Sequence, residues 1–154
     1  MLAHAVPARL LSFTTIEGNV APEDCFLSRQ IVDYADPDPE RFLDAFIERV
    51  RHQPAYASAL FAASLRHKVR AGAVPGIFTS MVALSDNGDL MDKFLGLPCP
   101  KMLMYGDQNA TLSYLDHIEA LGVRLAEIPL CGHFPMYSNP PAMWRALADF
   151  IGEG

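Results

Sequence analysis

Cysteine is scarce in this sequence and poorly placed for chemistry that needs several thiols. Cys25, Cys99 and Cys131 are odd in number and far apart, which argues against a disulfide framework and against the close-set ligands of a structural zinc. They read as reduced thiols of a cytoplasmic protein. No group of His, Cys, Asp and Glu falls at metal-ligand spacing, so neither a metal nor a cofactor is expected. Positive charge is in short supply too: twelve Lys and Arg stand against eighteen Asp and Glu, a formal net charge of -6. Nucleic-acid binding needs a clustered basic face. The nearest thing to one, Arg66-His67-Lys68 with Arg70, reads as the solvated end of a helix. No apolar run approaches the ~20 residues of a membrane span. The opening Met-Leu-Ala-His-Ala-Val-Pro lacks the charged start and long apolar stretch of a signal peptide.

Apolar residues are plentiful, 51% of the 154, and a chain of this length can bury roughly 70% of its unfolded surface. Their spacing divides the chain. Residues 1–6 read as the tail of a short helix that Pro7 stops; so short a helix is unstable alone, and its start is expected upstream of Met1. Residues 9–17, apolar and β-branched, read as a buried strand ending in a sharp turn at Gly18-Asn19. From Pro22 to about Gly96 the pattern is helical. Asp24 is placed to cap a short helix through Val32. Asp36 or Asp38 opens another to about His52, with Phe42, Ala45, Phe46, Arg49 and Val50 as its stripe. Pro54 opens a third, ending near Gly72. Residues 76–84 and 88–95 follow as shorter helices on either side of the Asp86-Asn87-Gly88 turn.

The rhythm changes at Leu97. A strand at Lys101–Tyr105 closes at Gly106, and a helix over 111–121 stops at Gly122. A second strand covers 123–128. A loop from Pro129 to Pro140 leads into a last helix, Pro141 to Ile151, which should bury Trp144, Leu147 and Phe150. This order predicts an α/β fold with a parallel sheet.

Three stretches carry a resemblance: Leu97-Pro-Cys-Pro-Lys-Met-Leu-Met-Tyr-Gly-Asp, Ile128-Pro-Leu-Cys-Gly-His-Phe-Pro-Met-Tyr-Ser-Asn-Pro-Pro, and Trp144-Arg-Ala-Leu-Ala-Asp-Phe-Ile. They resemble the penultimate strand, the catalytic-histidine loop and the terminal helix of the α/β-hydrolase fold family. The resemblance implies a partial α/β-hydrolase fold, its last three parallel strands with flanking helices at 1–21 and 97–154. Residues 22–96 then stand where that family inserts a helical cap or lid. It also implies a nucleophile–histidine–acid triad acting on esters or related small apolar substrates.

His133 matches the family's base. The commoner acid position, three residues after the glycine of the penultimate strand, is held here by Asn109, which carries no charge, while Asp107 lies two residues earlier. Other members, haloalkane dehalogenases among them, place the acid at the end of the strand after the nucleophile. Glu17 occupies that spot, and a carboxylate closing a buried apolar strand is costly without a partner. Glu17 is the preferred acid and Asp107 the alternative.

The family's nucleophile elbow, expected ahead of the first strand, has no counterpart: no Gly-x-Ser/Asp/Cys-x-Gly occurs in these 154 residues. Cys131, two residues before His133, does not form such an elbow. The chain is therefore expected to be the C-terminal part of a hydrolase, inactive alone. The alternative is a degenerate hydrolase serving as a binding or oligomerisation module, or a gene remnant. The side of the 9–17 strand that faces the missing nucleophile strand would be an open apolar edge, a template for a homo-oligomer. His4, His52, His67 and His117 read as surface or boundary residues. Phe26, Phe42, Phe46, Tyr56, Phe61, Phe78, Met81 and Met91 either line a lid over an apolar substrate or pack within the helical layer.

Overall fold

A computed structural model of the chain describes residues 2–53 and 57–152. In chain order come α1 (Leu2–Ala5), β1 (Phe13–Ile16), α2 (Arg29–Val32), α3 (Pro39–Arg51), α4 (Ser58–Lys68), α5 (Val74–Asn87) and α6 (Leu90–Leu95). Then follow β2 (Lys101–Gly106), α7 (Leu115–Ala120), β3 (Arg124–Ile128), α8 (Pro135–Ser138) and α9 (Pro140–Gly152). They fall into two compact units, one of Met1–Gly18 with Met91–Gly154 and one of Asn19–Leu90. Among the described residues no helix is long and apolar enough to cross a membrane.

The first unit is built on a parallel sheet of order β1-β2-β3. β2 lies in the middle and is covered on both faces, which is why its sequence is a run of apolar residues without alternation. Met102, Leu103 and Met104 are each at most 1% exposed, and burying side chains of this size contributes about 1.5–3 kcal/mol each. Met102 and Met104 meet Ile128, Cys131, Met143 and Phe150, so this face of the sheet packs under α9. The opposite face carries Leu103 and Tyr105, in register with Leu125 and Glu127. The edge strand β1 is only half buried along its length. Phe13 leans on Phe94 of α6, ring centroids 6.0 Å apart, which sets most of α6 with the strands and not with the helices before it.

The second unit is helical. Its core gathers Phe42, Leu43, Phe46, Ile47 and Val50 of α3 with Ala62 and Leu65 of α4, and Ala71 and Val74. α3 begins where Asp38 accepts a hydrogen bond from the Glu40 amide at 3.0 Å, with Pro39 in the first turn. Such a cap contributes about 1 kcal/mol. Arg29 of α2 pairs with Asp86 of α5. That guanidinium holds the Asp86 carboxyl below its usual range.

Several expectations need correction. The strand predicted over 9–17 is confined to Phe13–Ile16, because Pro7–Arg9 wind a 3-10 turn and Leu11 is 91% exposed. Asp24 does not start a helix through Val32. It sits in a 3-10 turn and accepts from the amides of Val20 and Ala21 at 2.8 Å. On α3 the buried stripe is Phe42, Leu43, Phe46, Ile47 and Val50, leaving Ala45 and Arg49 exposed. The helix predicted over 76–84 runs longer, over Val74–Asn87. α7 begins only at Leu115, since residues 107–114 are occupied by a 3-10 turn and successive tight turns. The loop predicted from Pro129 to Pro140 contains the one-turn α8.

Trp144 is 64% exposed. Met143, Ala146, Leu147 and Phe150 hold the sheet-facing side of α9, and the residue beside Met143 turns about 100° away from it. Of the aromatic and methionine residues weighed as a lid, Phe42 and Phe46 are buried in the helical core, with Phe61 and Phe78 packed against it. Phe26 and Met81 are exposed, and Met91 belongs to the sheet unit. Pro54, the predicted helix start, and Tyr56 lie outside the described residues.

Candidate active site

All three parallel strands deliver polar residues to the same rim, at their C-terminal ends, where open parallel sheets hold ligands. β1 delivers Glu17. Its N–H continues the ladder by donating to the Met104 carbonyl at 2.9 Å. Its φ of 49° then lies in the left-handed region, a conformation costing a non-glycine residue on the order of 1–3 kcal/mol. That twist ends the strand. The following residue is Gly18, where a Cβ would strike the Thr15 hydroxyl.

The Glu17 carboxylate is 6% exposed and fully engaged. Oε1 accepts from the Gly106 amide at 2.5 Å. Oε2 accepts from Asn109 Nδ2 at 2.7 Å and meets His133 Nδ1 at 3.0 Å. A carboxylate offers only acceptor lone pairs, so Nδ1 is the donor and the imidazole is held as its Nδ1–H tautomer. Three donors converging on one buried carboxylate meet the desolvation cost that made Glu17 conspicuous in the sequence.

His133 arrives on the loop after β3, its side chain 25% exposed and its ring edge-on to Phe134, with centroids 4.7 Å apart. Loop and strand end touch closely. A Cβ at Gly106 would run into the carbonyls of Cys131 and Gly132, so only glycine lets β2 end against the loop while its amide reaches Glu17. The Gln108 amide donates to the Cys131 carbonyl at 3.2 Å, and its side chain lies against Gly132, where a Cβ would come within 2.5 Å of Oε1. Leu130 takes a left-handed φ of 52° as the loop turns.

Asp107 has a different place from Glu17. Its Oδ2 accepts from the Leu130 amide at 2.8 Å and its Oδ1 from the Cys131 amide at 3.0 Å. Both oxygens are used to hold the histidine loop to the end of β2. At the far end of the loop, Asn139 donates from Nδ2 to the Pro129 carbonyl at 2.8 Å and accepts from the Ala142 amide at 3.3 Å. It thereby closes the loop and caps α9. Cys131 is fully buried, donates to the Gly132 carbonyl at 3.0 Å, and burial pushes its thiol from 9.0 up to about 11. A group that holds its proton so firmly is a packing residue, not a nucleophile.

The structure thus brings together Glu17 and His133 from opposite ends of the sequence. His4, His52, His67 and His117 are all exposed. His4 meets the Lys93 carbonyl at 2.7 Å and His52 meets Glu48 at 2.8 Å. Sequence reasoning missed Asn109 as a partner of Glu17. In sequence, position 109, three residues after Gly106, reads only as a place where an acid is lacking. Among the described residues no group of three or more His, Cys, Asp or Glu could hold a metal.

No family model matches the chain, and no curated protein matches it. Among solved structures, a thermophilic esterase from Thermogutta terrifontis, determined with malate bound, is similar over 98% of this chain at 16% identity and a TM-score of 0.45. The chain spans 59% of that esterase. A likeness of that degree establishes neither family nor activity.

Proposed function

We propose that the sheet unit is the acid–base part of an α/β-hydrolase-type ester hydrolase, with His133 as the base and Glu17 as the acid that orients it. The observation that carries this is the 3.0 Å contact between His133 Nδ1 and a Glu17 carboxylate held in place by Gly106 and Asn109. With Nδ1 protonated, the ring's other nitrogen is the basic one. It would take the proton of an attacking hydroxyl and return it to the leaving alkoxide, while Glu17 stabilises the imidazolium between the two steps. The nucleophile is assigned to a residue outside these 154, since none of them forms the family's elbow. Residues 22–96 take the position in sequence at which such enzymes carry a cap, and the substrate class the resemblance implies is esters or related small apolar molecules.

The competing reading is a non-catalytic module, paired with a second copy through the outer edge of β1. It rests on the same missing elbow. Hydrolysis of short-chain nitrophenyl esters by the natural product of the gene separates the two. The hydrolase reading expects turnover that falls roughly 10³-fold or more in His133→Ala. Absent turnover, or turnover equal in wild type and variant, would leave the module.

A further inference from the structure

The turn after β2 has two working sides. β2 ends at Gly106 and passes into a 3-10 turn, Asp107–Asn109. Positions three apart eclipse one another in such a helix, so residues 106 and 109 fall on one side of it. Asp107 and Gln108 lie on the other side, and the loop that carries His133 engages both. Asp107 accepts from the Leu130 and Cys131 amides, and the Gln108 amide donates to the Cys131 carbonyl. Gly106 and Asn109 both serve Glu17. The Gly106 amide donates to Oε1 at 2.5 Å, and Asn109 Nδ2 donates to Oε2 at 2.7 Å.

Glutamate is a long side chain with much rotamer freedom to lose, and a single anchor does not aim its carboxylate. Held at Oε1 alone, the group would pivot about that oxygen and carry Oε2 away from the histidine. Asn109 supplies the second fixed point, on the same oxygen that meets His133 Nδ1 at 3.0 Å. Chemistry fixes which way the amide faces. Turned over, it would set its oxygen against a carboxylate oxygen, two acceptors with no proton between them. The backbone of Asn109 is held in turn, its carbonyl accepting from the Leu112 amide at 3.2 Å.

We propose that Asn109 is a positioning residue of the acid–base pair, acting on the His133 ring through Glu17 by aiming its carboxylate at Nδ1. The four residues 106–109 then work as one clamp. Two of them hold the acid, and the two between hold the loop that bears the base, which sets the distance between Glu17 and His133. The consequence for turnover rests on the hydrolase reading above; the effect on the ring does not.

The test compares wild type with Asn109→Ala and with Asn109→Leu, which keeps the size of the side chain and removes the donor. The ¹⁵N-labelled full chain is used, without substrate. Solvent exchange of the His133 Nδ1 proton is measured beside that of the Leu130 and Cys131 amides, which Asp107 holds. Losing one charge-assisted hydrogen bond should speed exchange of the ring proton about tenfold in both variants, while the two amides keep their protection. An unchanged ring proton in Asn109→Leu would make Asn109 a space-filling residue and overturn the proposal. Ring proton and amides exchanging faster together would also overturn it, as the mark of a turn that has only loosened. In the natural product of the gene both variants should lower kcat for nitrophenyl esters about tenfold at unchanged KM. Turnover absent from the wild type would sink the hydrolase reading alone; the ring proton decides the role of Asn109 in either case.

Discussion

The sheet unit and the helical unit use their polar side chains in different ways. In the helical unit the ion pairs lie toward the surface: Arg29 to Asp86, Arg41 to Asp36 and Arg66 to Asp44 are pairs of partly or largely exposed groups. Such pairs are individually weak. In the sheet unit the polar groups after each strand are drawn inward and onto one another, with Glu17 at the centre and 6% exposed. Aromatic residues are buried in both units, Phe94 and Phe150 in the sheet unit among them. Phe42 and Phe46 stack inside the helical core with centroids 6.1 Å apart, while Trp144 of α9 faces outward. Both units rest on apolar packing, and the sheet unit adds a small hydrogen-bonded cluster at its strand ends.

That contrast can be broken or sharpened by substitution. The largest loss of stability is expected from Phe46→Ala in the helical core, about 3–5 kcal/mol by chemical denaturation. A loss below about 1 kcal/mol would mean that the core collapses around the gap. Next comes Gly106→Ala, which drives a methyl into the carbonyls of Cys131 and Gly132. Strain of about 1–3 kcal/mol is expected, with backbone shifts at residues 130–133 visible by NMR. Asp107→Ala leaves the Leu130 and Cys131 amides without their acceptor and should cost about 1–3 kcal/mol, loosening the histidine loop while Glu17 keeps its Gly106 and Asn109 bonds. Persistence of the loop's amide protection in that variant would contradict the role given to Asp107. The smallest effect is expected for Trp144→Ala, within about 0.5 kcal/mol.

One expectation depends on pH. The folded chain holds the Cys131 proton more tightly than the unfolded chain does. The stability this contributes is complete below pH 9.0 and is lost as the pH rises to about 11. Denaturation midpoints should fall across that window, and Cys131→Ala should remove part of the fall. A slope identical in both proteins would show that the thiol plays no part in it.

Much of this was legible in the sequence, for identifiable reasons. β2 and β3 stand out because a central parallel strand is a continuous apolar run and Gly122 marks the turn between α7 and β3. Glu17 stands out as a carboxylate closing an apolar strand, while His133 is legible only through the resemblance of its Gly-His-Phe-Pro-Met loop to a catalytic-histidine loop. The start of β1 was hidden because Leu10 and Leu11 continue its apolar pattern, although the structure leaves Leu11 in solvent. The outward turn of Trp144 was hidden because adjacent positions at 143 and 144 are both apolar, and only the packed sheet decides between them. The part played by Asn109 was hidden for a different cause: an amide that orients a carboxylate 92 residues away leaves no local pattern.

The pairing of Glu17 with His133 is read most directly from the protonation pattern of the His133 ring, through its ¹⁵N and proton resonances in wild type and in Glu17→Ala. A proton fixed on Nδ1 and protected from exchange is expected in the wild type, and its loss from that position in the variant. A ring protonated chiefly on Nε2, or an Nδ1 proton indifferent to the removal of Glu17, would contradict it.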